Sequence, residues 1–389
     1  MTKISVIGLG AIGLPLSLLL SKGGQKIFGY DIDKTRIEKI LKPKKSYFDS
    51  DIYNFLNNKN VKKNLILSNK LKKADVYIIC VPTPIKKKTN NQFVADLNYL
   101  NKAVKNVSKF LKKNDLLIIE STIPVKTCGN IIKKISKKNI FIAHSPERAF
   151  PGNTIKEMIY NDRIIGSNTN SGLKGAIKIY KKFVKSEIIE TDLETAEACK
   201  LVENSFRDVN IALSNELNFI LSNNNLNVKK IFKLANMHPR VNLHNYGIGV
   251  GGHCLPVDPY FLPDFYKSTI LKNSRYINDA TTARCIKKIK KIISSYNKQK
   301  IVLLGLTYKE DCNDIRNAPA LKIFQSLVNK YVNIYACDPH FEINQNQSYR
   351  KKIISLAQIK NDDILIPLVK HKIFNKILLK KNNQVMSII

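Results

Sequence analysis

The segment from residue 3 to residue 31 carries the pattern that most constrains the fold. It begins with an apolar run, KISVIG, continues through a glycine turn at Gly8, Gly10 and Gly13, and ends with a second apolar run, QKIFGYD, which stops at Asp31. Glycines at this spacing permit a tight turn, a close approach of a pyrophosphate, and packing of the next helix on the strand. The pattern predicts a strand–helix–strand unit that binds a dinucleotide, with a helix reaching about Lys22.

Asp31 indicates which dinucleotide is bound. A carboxylate at the end of the second strand bonds the ribose hydroxyls of NAD and repels the 2′-phosphate of NADP. Lys34 and Arg36 follow closely and leave NADP as an alternative. A FAD site, or a glycine turn that binds no phosphate, also remains open.

The same region resembles a targeting signal, because residues 4–21 are uncharged and follow Lys3. Its glycines and Pro15 favour a buried strand and turn. The seven cysteines stand far apart and form no CxxC pair, which indicates a reducing compartment. We therefore expect a cytoplasmic protein with no membrane partner.

The formal net charge is +35, from 65 Lys and Arg against 30 Asp and Glu. The lysines are spread from end to end, and no basic stripe alternates with aromatic residues. We therefore expect no nucleic-acid partner. A positive field favours attraction of a phosphorylated or nucleotide-bearing substrate.

Three further apolar strands end in polar residues. Residues 75–81 lead to Thr83, residues 115–124 carry Glu120, Ser121 and Thr122, and the run NIFIAHSPER ends in Glu147 and Arg148. Ligands of open α/β sheets bind at the carboxyl ends of the strands, so these residues predict a site. For Ser121 or Thr122 alone, a helix N-cap is an equally good interpretation.

A long helix is predicted from Thr191. Thr191 and Glu194 have the spacing of a capping box, and Glu203 and Arg207 are spaced as an i, i+4 pair. An apolar stripe follows steps of three and four residues: Val202, Phe206, Val209, Leu213, Leu217 and Ile220. Lys200, Asn204 and Arg207 share another face, which is either a solvated surface or part of a site. A helix of this length suits a spine between domains or subunits.

The segment Gly249–Leu262 reads GVGGHCLPVDPYFL and sets Cys254 just after three glycines, with Asp258 four residues later. Without a Cβ, glycine lets the backbone approach a ligand or another backbone closely. Cys254 is therefore either a reactive thiol or a buried structural cysteine in a tight turn. A lysine-rich helix is predicted next, from Tyr276 to Ser295.

A second α/β unit begins near Gln299. The strand KIVLLG leads to Tyr308 and Lys309, a helix follows, and the strand VNIYAC ends at Asp338. We predict an α/β protein with two Rossmann-like domains, built on parallel sheets and joined by a mostly helical central domain with a long spine helix. The predicted domains span residues 1–190, 191–297 and 298–389.

Several segments together resemble the UDP-glucose/GDP-mannose dehydrogenase family. They are GLGAIGLP, VPTP, ESTIPVKT, SPERAFPG, KLVENSFRDVNIALSNE, GVGGHCLPVDPYFL and GLTYKEDCNDIRNAPA, in the order that the family shows. The resemblance implies a UDP-sugar substrate, NAD as cofactor, no metal, and a homodimer or higher homo-oligomer. It implies oxidation of the sugar's C6 alcohol to a carboxylate through a thiohemiacetal and a thioester on a cysteine. The sugar is expected to be destined for polysaccharide biosynthesis.

The resemblance also implies roles for individual residues. The implied catalytic residues are Cys254 as nucleophile, Lys200 and Asn204 at the oxyanion, Asp258 for water and proton transfer, and Thr122 with Glu147 for positioning water and substrate. The implied cofactor residues are Gly8, Gly10, Ile12, Gly13, Asp31, Arg36, Thr83, Thr122 and Arg316, the last reaching NAD from the far domain. The implied substrate residues are Lys200, Asn204, Arg207, His238, Arg240, Gly251, Tyr308 and Lys309.

The segments HSPERAFPG, NDRIIGS and NMHPRV most resemble the subfamily that acts on UDP-N-acetyl-D-mannosamine. UDP-N-acetylglucosamine and UDP-glucose are alternative substrates, and a degenerate nucleotide-sugar-binding protein is the alternative that is not an enzyme. A 3-hydroxyacid or 6-phosphogluconate dehydrogenase is a further alternative, but such an enzyme needs no glycine-framed cysteine. A zinc alcohol dehydrogenase is disfavoured, because His253 and Cys254 are adjacent and lack the separated spacing of zinc ligands. The resemblance weakens after Asp338: Lys370 replaces a usual acid and the closing motif is eroded, so a weaker UDP-binding edge is expected.

Overall fold

The structure is a computed structural model that describes residues 2–44, 50–135, 139–149, 152–341, 347–378 and 384–388. Phe150 and Pro151 of the SPERAFPG segment, residues 379–383 of the tail, and Ile389 lie outside this part. The chain divides into two compact units, residues 1–203 with 260–263, and residues 204–259 with 264–389.

The first unit is built on an eight-stranded sheet with the strand order β10-β9-β8-β7-β4-β1-β2-β3. Its neighbouring strands are parallel except β8 and β9, which are antiparallel. A separate antiparallel hairpin consists of β5 and β6. The strands are β1 (Ile4–Ile7), β2 (Ile27–Tyr30), β3 (Leu65–Ser68), β4 (Val76–Ile79), β5 (Ile85–Lys87), β6 (Phe93–Ala95), β7 (Leu116–Ile119), β8 (Phe141–His144), β9 (Arg163–Ser167) and β10 (Ile188–Thr191).

Both faces of this sheet are buried, which explains why its central strands are continuous apolar runs. Alternate side chains of β1 and β4 enter two different clusters: Ile4 and Ile78 pack in one, Ile7 and Ile79 in the other. The helices are α1 (Gly13–Lys22), α2 (Lys34–Leu41), α3 (Ser50–Leu56), α4 (Lys59–Asn64), α5 (Asn98–Ser108), α6 (Thr127–Ile135), α7 (Thr154–Tyr160) and α8 (Asn170–Tyr180).

The predicted long helix is present as α9 (Leu193–Asn223). The predicted capping box is wrong, because Thr191 is the last residue of β10. Asp192 caps the helix: its carboxylate accepts hydrogen bonds from the Thr195 N–H at 2.8 Å and from the Thr195 hydroxyl at 2.6 Å. These bonds lower the pKa of Asp192. The short acidic side chain of Asp192, one residue after Thr191, therefore pairs with a free N–H group of the first turn.

The two faces of α9 are buried in the opposite sense to an ordinary amphipathic helix. Much of the apolar stripe is exposed, with Val202 at 56%, Phe206 at 62% and Ile220 at 50% of full exposure. On the polar face, Asn204 and Asn215 are buried, and Lys200 and Arg207 are half-buried. A solvated face around Asn204 is therefore excluded, and the chain leaves an apolar surface along α9.

In the second unit, α10 (Val228–Ala235) and α11 (Thr269–Ser295) follow α9, so α11 begins before the predicted Tyr276. The second sheet has the order β12-β11-β13-β14 and is parallel throughout. The remaining elements are β11 (Ile301–Leu304), α12 (Pro319–Val328), β12 (Ile334–Cys337), β13 (Ile364–Pro367), α13 (Asn375–Leu378) and β14 (Gln384–Val385). The α/β prediction with two sheets of mainly parallel strands and a long helix is confirmed.

The tail keeps a closing strand despite its unusual sequence. β14 pairs with β13 in parallel register, with Ile364 opposite Gln384 and Leu365 opposite Val385. Lys370 is exposed, so the lysine at this position places no charge in the core. Among the described residues, no helix has the length and apolar character needed to cross a membrane.

Candidate active site

The glycine turn of the first unit has no room for a side chain at Gly8 or Gly13. Gly8 has a φ of +90°, and a Cβ there would lie 2.7 Å from the Cys80 carbonyl oxygen. A Cβ on Gly13 would lie 1.8 Å from the carbonyl oxygen of Gly8. At Gly10 a Cβ would meet only the Arg36 guanidinium, at 3.6 Å. The turn is therefore closed on its inner side and accessible at Gly10.

Asp31 is fixed beside this turn. The register of β1 and β2 places Ile7 opposite Tyr30, so Asp31, the residue that follows β2, reaches the glycine turn. The Asp31 carboxylate accepts hydrogen bonds from the N–H of Leu9 at 2.8 Å and of Asp33 at 2.9 Å. The Arg36 guanidinium lies 3.5 Å away.

The start of α1 completes a cradle for a dinucleotide. Ile12 is the N-cap residue and packs against the core, and no side chain within the described residues caps this helix. An uncapped helix N-terminus attracts phosphate, and a carboxylate at the end of the next strand suits a ribose. The residues present therefore fit the pyrophosphate and adenosine ribose of NAD.

The loops after β4 and β7 are bonded to each other. The Thr83 hydroxyl donates to the Thr122 carbonyl at 2.7 Å, and the Ser121 hydroxyl donates to the Val81 carbonyl at 2.7 Å. Ser121 is therefore no helix N-cap. The first turn of α6 is held by the buried carboxylate of Glu197, which accepts from the N–H groups of Lys126 and Cys128.

Glu147 lies just beyond β8 and is buried. Its Oε1 accepts hydrogen bonds from the N–H groups of Arg148 and Ala149 at 2.8 and 2.7 Å, and its Oε2 bonds to the Arg163 guanidinium at 2.5 Å. Arg163 also bonds to Glu120 at 3.0 Å and was not predicted as a site residue from the sequence. An arginine opening an apolar strand was the available signal.

Glu203 forms an ion pair with Arg148 at 2.8 Å. The predicted partner within the helix was Arg207. Arg207 itself lies close enough to His244 to lower the pKa of that ring, after burial as the larger cause. The pair between Glu203 and Arg148 connects α9 to the loop that carries Glu147.

In the second unit, the glycine segment forms a compact turn around Cys254. The Cys254 carbonyl accepts the N–H groups of Val257 and Asp258 at 2.9 and 2.8 Å. Asp258 is buried, and its Oδ2 accepts a hydrogen bond from the Asn204 amide at 2.5 Å. The backbone of Cys254, the Asp258 carboxylate and the Asn204 amide therefore lie close together. Cys254 is only partly buried.

The same turn packs on the second Rossmann-like half. A Cβ on Gly251 would lie 2.7 Å from Pro319 and 2.8 Å from the Cβ of Tyr308. The N–H of Gly252 donates to the Arg316 carbonyl at 2.9 Å. This close approach of two backbones is the reason for glycine at these positions.

Arg316 was predicted to bind NAD, and its guanidinium here forms an ion pair with Asp314, with a shortest distance of 2.5 Å. The hydrogen bond to Asp314 raises the pKa of Arg316, and the Cys254 sulfur raises it further by electrostatic attraction. Tyr308 and Lys309 lie in the same loop. Burial raises the pKa of Tyr308, and nearby Cys312, Asp314 and Cys254 add to the shift. Proximity of Arg316 to the thiol was missed from the sequence.

The remaining predicted residues are spread over α9 and the segment after α10. Lys200 is half-buried on α9 in the first unit, one helical turn before Asn204. His238 and Arg240 are exposed, and the Arg240 N–H donates to His238 Nδ1 at 3.3 Å. Their meeting with the other site residues stays a prediction.

Asp311, His340 and His371 form a cluster whose ligand atoms lie within 4.8 Å of one another. His371 uses both ring nitrogens within the protein: Nδ1 accepts the Asp311 N–H at 2.8 Å, and Nε2 lies 3.2 Å from Asp338. Nδ1 uses its lone pair on the Asp311 N–H and Nε2 faces a carboxylate, so His371 offers no free lone pair to a metal.

Three domains of one family match the chain in order. The NAD binding domain of the UDP-glucose/GDP-mannose dehydrogenase family matches residues 2–184, its central domain residues 194–283, and its UDP binding domain residues 302–388. The chain belongs to this family. It is an NAD-dependent nucleotide-sugar dehydrogenase, and the third match extends through the tail that the sequence analysis expected to be eroded.

Individual members of the family are similar over nearly their whole length. A UDP-N-acetyl-D-mannosamine dehydrogenase of Methanocaldococcus jannaschii is 39% identical over 376 residues, 95% of this chain and 86% of the relative. One from Campylobacter jejuni is 37% identical, with 96% of each chain covered. The solved UDP-D-ManNAc dehydrogenase of Pyrococcus horikoshii has a TM-score of 0.86 at 34% identity, covering 100% of this chain and 96% of that one.

Proposed function

We propose that this dehydrogenase oxidises the C6 alcohol of UDP-N-acetyl-D-mannosamine to the carboxylate of UDP-N-acetyl-D-mannosaminuronate. The names of the similar enzymes from Methanocaldococcus jannaschii and Campylobacter jejuni support this substrate. The overall reaction consumes two NAD⁺ and one water, and releases two NADH and three protons per sugar. Bound NAD⁺ supplies the hydride acceptor for both oxidations.

One observation carries the proposal. Cys254 stands on a glycine turn that also carries the buried Asp258, and Asp258 is bonded to Asn204 of α9 at 2.5 Å. A thiol, a carboxylate and an amide so arranged suit covalent capture of an aldehyde followed by hydrolysis. The Arg316 guanidinium lies close enough to interact electrostatically with the Cys254 sulfur, and reactive cysteines are found beside such positive charges.

Once the first oxidation has converted the C6 alcohol to an aldehyde, the chain's own residues act on that aldehyde. The Cys254 thiolate adds to C6, the carbonyl π bond breaks, and its electron pair becomes an oxyanion on the sugar. The Asn204 amide donates a hydrogen bond to this oxygen. The Lys200 ammonium stabilises its negative charge and, as the acid, gives it the proton of the thiohemiacetal hydroxyl. Oxidation of this adduct leaves a thioester on Cys254.

Hydrolysis of the thioester uses the carboxylates. Asp258 takes a proton from the attacking water, and the Cys254 thiolate leaves as the carboxylate forms. Glu147 has three of its roughly four lone-pair sites occupied by Arg163, Arg148 and Ala149, so it retains one for positioning the water. Thr122, whose loop is bonded to Thr83, is placed beside it in this proposal.

The binding roles extend the same proposal. We assign NAD to Gly8, Gly10, Ile12, Gly13, Asp31, Arg36, Thr83, Thr122 and Arg316, and the UDP-sugar to Lys200, Asn204, Arg207, His238, Arg240, Gly251, Tyr308 and Lys309. Arginine and lysine suit the diphosphate. A division into residues 1–190, 191–297 and 298–389 assigns NAD binding, the catalytic cysteine and UDP binding to successive domains.

We also propose a homo-oligomer formed through α9. Val202, Phe206, Leu213 and Ile220 are exposed along one side of the helix. An apolar stripe of this kind is typical of a helix packed on a second copy. Sedimentation equilibrium of the full chain tests this, and a monomer at all concentrations contradicts it. The cytoplasmic location stays a prediction.

The experiment measures NADH formation with UDP-N-acetyl-D-mannosamine, UDP-N-acetylglucosamine, UDP-glucose and GDP-mannose at equal concentrations. We expect the highest kcat/KM with UDP-N-acetyl-D-mannosamine and two NADH per sugar consumed. A higher kcat/KM for another sugar contradicts the substrate. NAD binding without oxidation of any of the four sugars contradicts the enzymatic function.

A further inference from the structure

One guanidinium is shared by two buried carboxylates in the first unit. Arg163, the first residue of β9, is 4% exposed and donates to Glu120 Oε1 at 3.0 Å, to Glu147 Oε2 at 2.5 Å and to the Ser145 hydroxyl at 3.1 Å. Its guanidinium carbon lies 4.4 Å from the centre of the Tyr180 ring. Arg163 is therefore fixed in position by four neighbours.

Glu120 is enclosed by groups from every element around it. The Tyr180 hydroxyl on α8 donates to its Oε1 at 2.6 Å, Arg163 approaches from β9, and Glu147 from the loop after β8. The Cys80 thiol, just after β4, is close enough that the Glu120 charge raises its pKa, after burial as the larger cause. Glu120 Oε2 is buried and has no hydrogen-bond partner among the described residues.

The charges in this cluster do not balance when both carboxylates are ionised. Arg163 supplies one positive charge, and Glu120 and Glu147 supply two negative charges. Burial and the Glu147 charge raise the pKa of Glu120 to about 7, although Arg163 opposes the shift. Tyr180 and Cys80 stay neutral, because burial raises the pKa of each well above its ordinary value. The unpartnered Oε2 is the atom available to carry a proton.

We propose that Arg163 and Glu120 are positioning residues for Glu147, and that a proton on Glu120 Oε2 determines how firmly Arg163 holds the Glu147 carboxylate. The inference rests on the proposed function only for the role of Glu147 in the reaction. With Glu120 protonated, the guanidinium is committed to Glu147. When Glu120 loses its proton to solvent, it competes for the same guanidinium and Glu147 is held less firmly.

The sharpest variant is Glu120→Gln, which keeps the shape and the Oε1 acceptor but cannot ionise. We expect wild type and Glu120→Gln to have similar kcat values below pH 6. Above pH 7 the wild-type kcat should be about threefold to tenfold lower than that of the variant, and the inflection of the wild-type pH profile near neutrality should be absent from the variant. Ser145→Ala removes a neutral bond to Arg163 and is the matched control. It should keep the wild-type inflection.

Arg163→Lys tests the guanidinium itself. A lysine cannot bond both carboxylates in a fork, so we expect kcat to fall about tenfold to a hundredfold with a change in sugar KM below about threefold. A purely structural role lowers the active fraction and leaves the shape of the pH profile unchanged. If Arg163→Lys does not fold, Glu120→Gln still decides the question.

A readout without turnover separates this inference from the proposed function. The infrared carbonyl band of a protonated carboxyl should disappear as the pH rises through about 7 in wild type, and Glu120→Gln should lack that titrating band. A wild-type spectrum without the band, or identical pH profiles for kcat in wild type and Glu120→Gln, overturns the inference. If wild type oxidises none of the four UDP- or GDP-sugars, the proposed function fails while the infrared result still judges the proton on Glu120.

Discussion

The two units use the same backbone device at the end of their first strand. Gly8 has a φ of +90° and Gly305 a φ of +88°. In each case an acid at the end of the next strand accepts the N–H of the residue after the glycine: Asp31 from Leu9 at 2.8 Å, and Asp338 from Leu306 at 2.6 Å. Each acid also accepts a hydrogen bond from the N–H of the residue two positions later, Asp33 for Asp31 and His340 for Asp338.

The two regions differ in the segment that comes after the glycine. In the first unit α1 begins at Gly13, so the helix N-terminus directly follows the turn. In the second unit α12 begins only at Pro319, and the intervening loop carries Tyr308, Lys309 and Arg316. The first arrangement presents helix N–H groups to a phosphate, whereas the second presents side chains.

The two acids also have different neighbours. Asp31 faces Arg36, whose side chain is 47% exposed, while Asp338 faces His371, which is fully buried. The Asp31 side chain, beside Arg36, keeps 7% of its exposure, whereas the Asp338 side chain is fully enclosed by the protein. A shared turn consequently says little about the ligand: the residues after it decide what binds.

The largest expected effect tests whether the chemistry belongs to the second unit's glycine turn. Cys254→Ala should lower kcat for NADH formation by about 10⁴-fold or more, because no thioester forms. NAD binding, measured by calorimetry, should be unchanged. Cys312→Ala is the matched control, since Cys312 also lies close to Tyr308, and it should change kcat by less than about threefold. Equal losses in both variants contradict the assignment.

The acid response should differ between the units because of His144. Burial lowers the pKa of His144 to about 4, so the unfolded chain binds more protons between about pH 6.5 and 4. This residue therefore destabilises the first unit as the pH falls through that window, by about 3 kcal/mol in total. In the second unit, hydrogen bonds from His371 and Leu306 outweigh burial and lower the pKa of Asp338, so its contribution is lost only below about pH 4.

His144→Asn should remove the contribution of His144, measured by native-state hydrogen exchange of β8 amides across this pH range. The pH dependence of the wild type alone is not enough, because the raised pKa of Glu120 changes the stability of the first unit in the opposite direction between about pH 4.5 and 7. An unchanged pH slope in His144→Asn would show that His144 is protonated in the folded protein.

The smallest effect distinguishes the two acids directly. Asp31→Asn should raise the KM for NAD about tenfold and reduce the preference over NADP, because an amide no longer repels the 2′-phosphate. Asp338→Asn should leave the KM for NAD within about twofold. Both variants should lower Tm by about 2–4 °C, because each loses a carboxylate acceptor for backbone N–H groups. A similar shift of the KM for NAD in both variants would contradict this difference between Asp31 and Asp338.

Local patterns were sufficient for much of the fold. The glycine turn, the strand before it and Asp31 were predictable because each depends on residues close in sequence. The helix cap was assigned to Thr191 although Asp192 makes the bonds, since both residue types are common N-caps and stand next to each other here. The start of α9 depends on whether Thr191 belongs to the preceding strand, and it is the last residue of β10.

Features that depend on distant residues were not predictable. Glu203 pairs with Arg148, 55 positions earlier in the chain, and Arg163 joins Glu120 to Glu147 across three strands. The apolar stripe of α9 is exposed, although apolar residues of a helix usually face the core. Its polar side is buried because Asn204 and Asn215 find partners at Asp258 and Asn278.

The segment Tyr260–Pro263 has a practical consequence for dissecting the protein. It belongs to the first unit although the residues on both sides belong to the second, so the chain passes between the units three times. The Tyr260 ring packs 5.3 Å from the ring of Phe93 in the β5–β6 hairpin. A fragment ending at Glu203 would lack this partner and leave the Phe93 ring uncovered. Expressing the NAD-binding half alone therefore calls for a graft of these four residues or a polar replacement of Phe93.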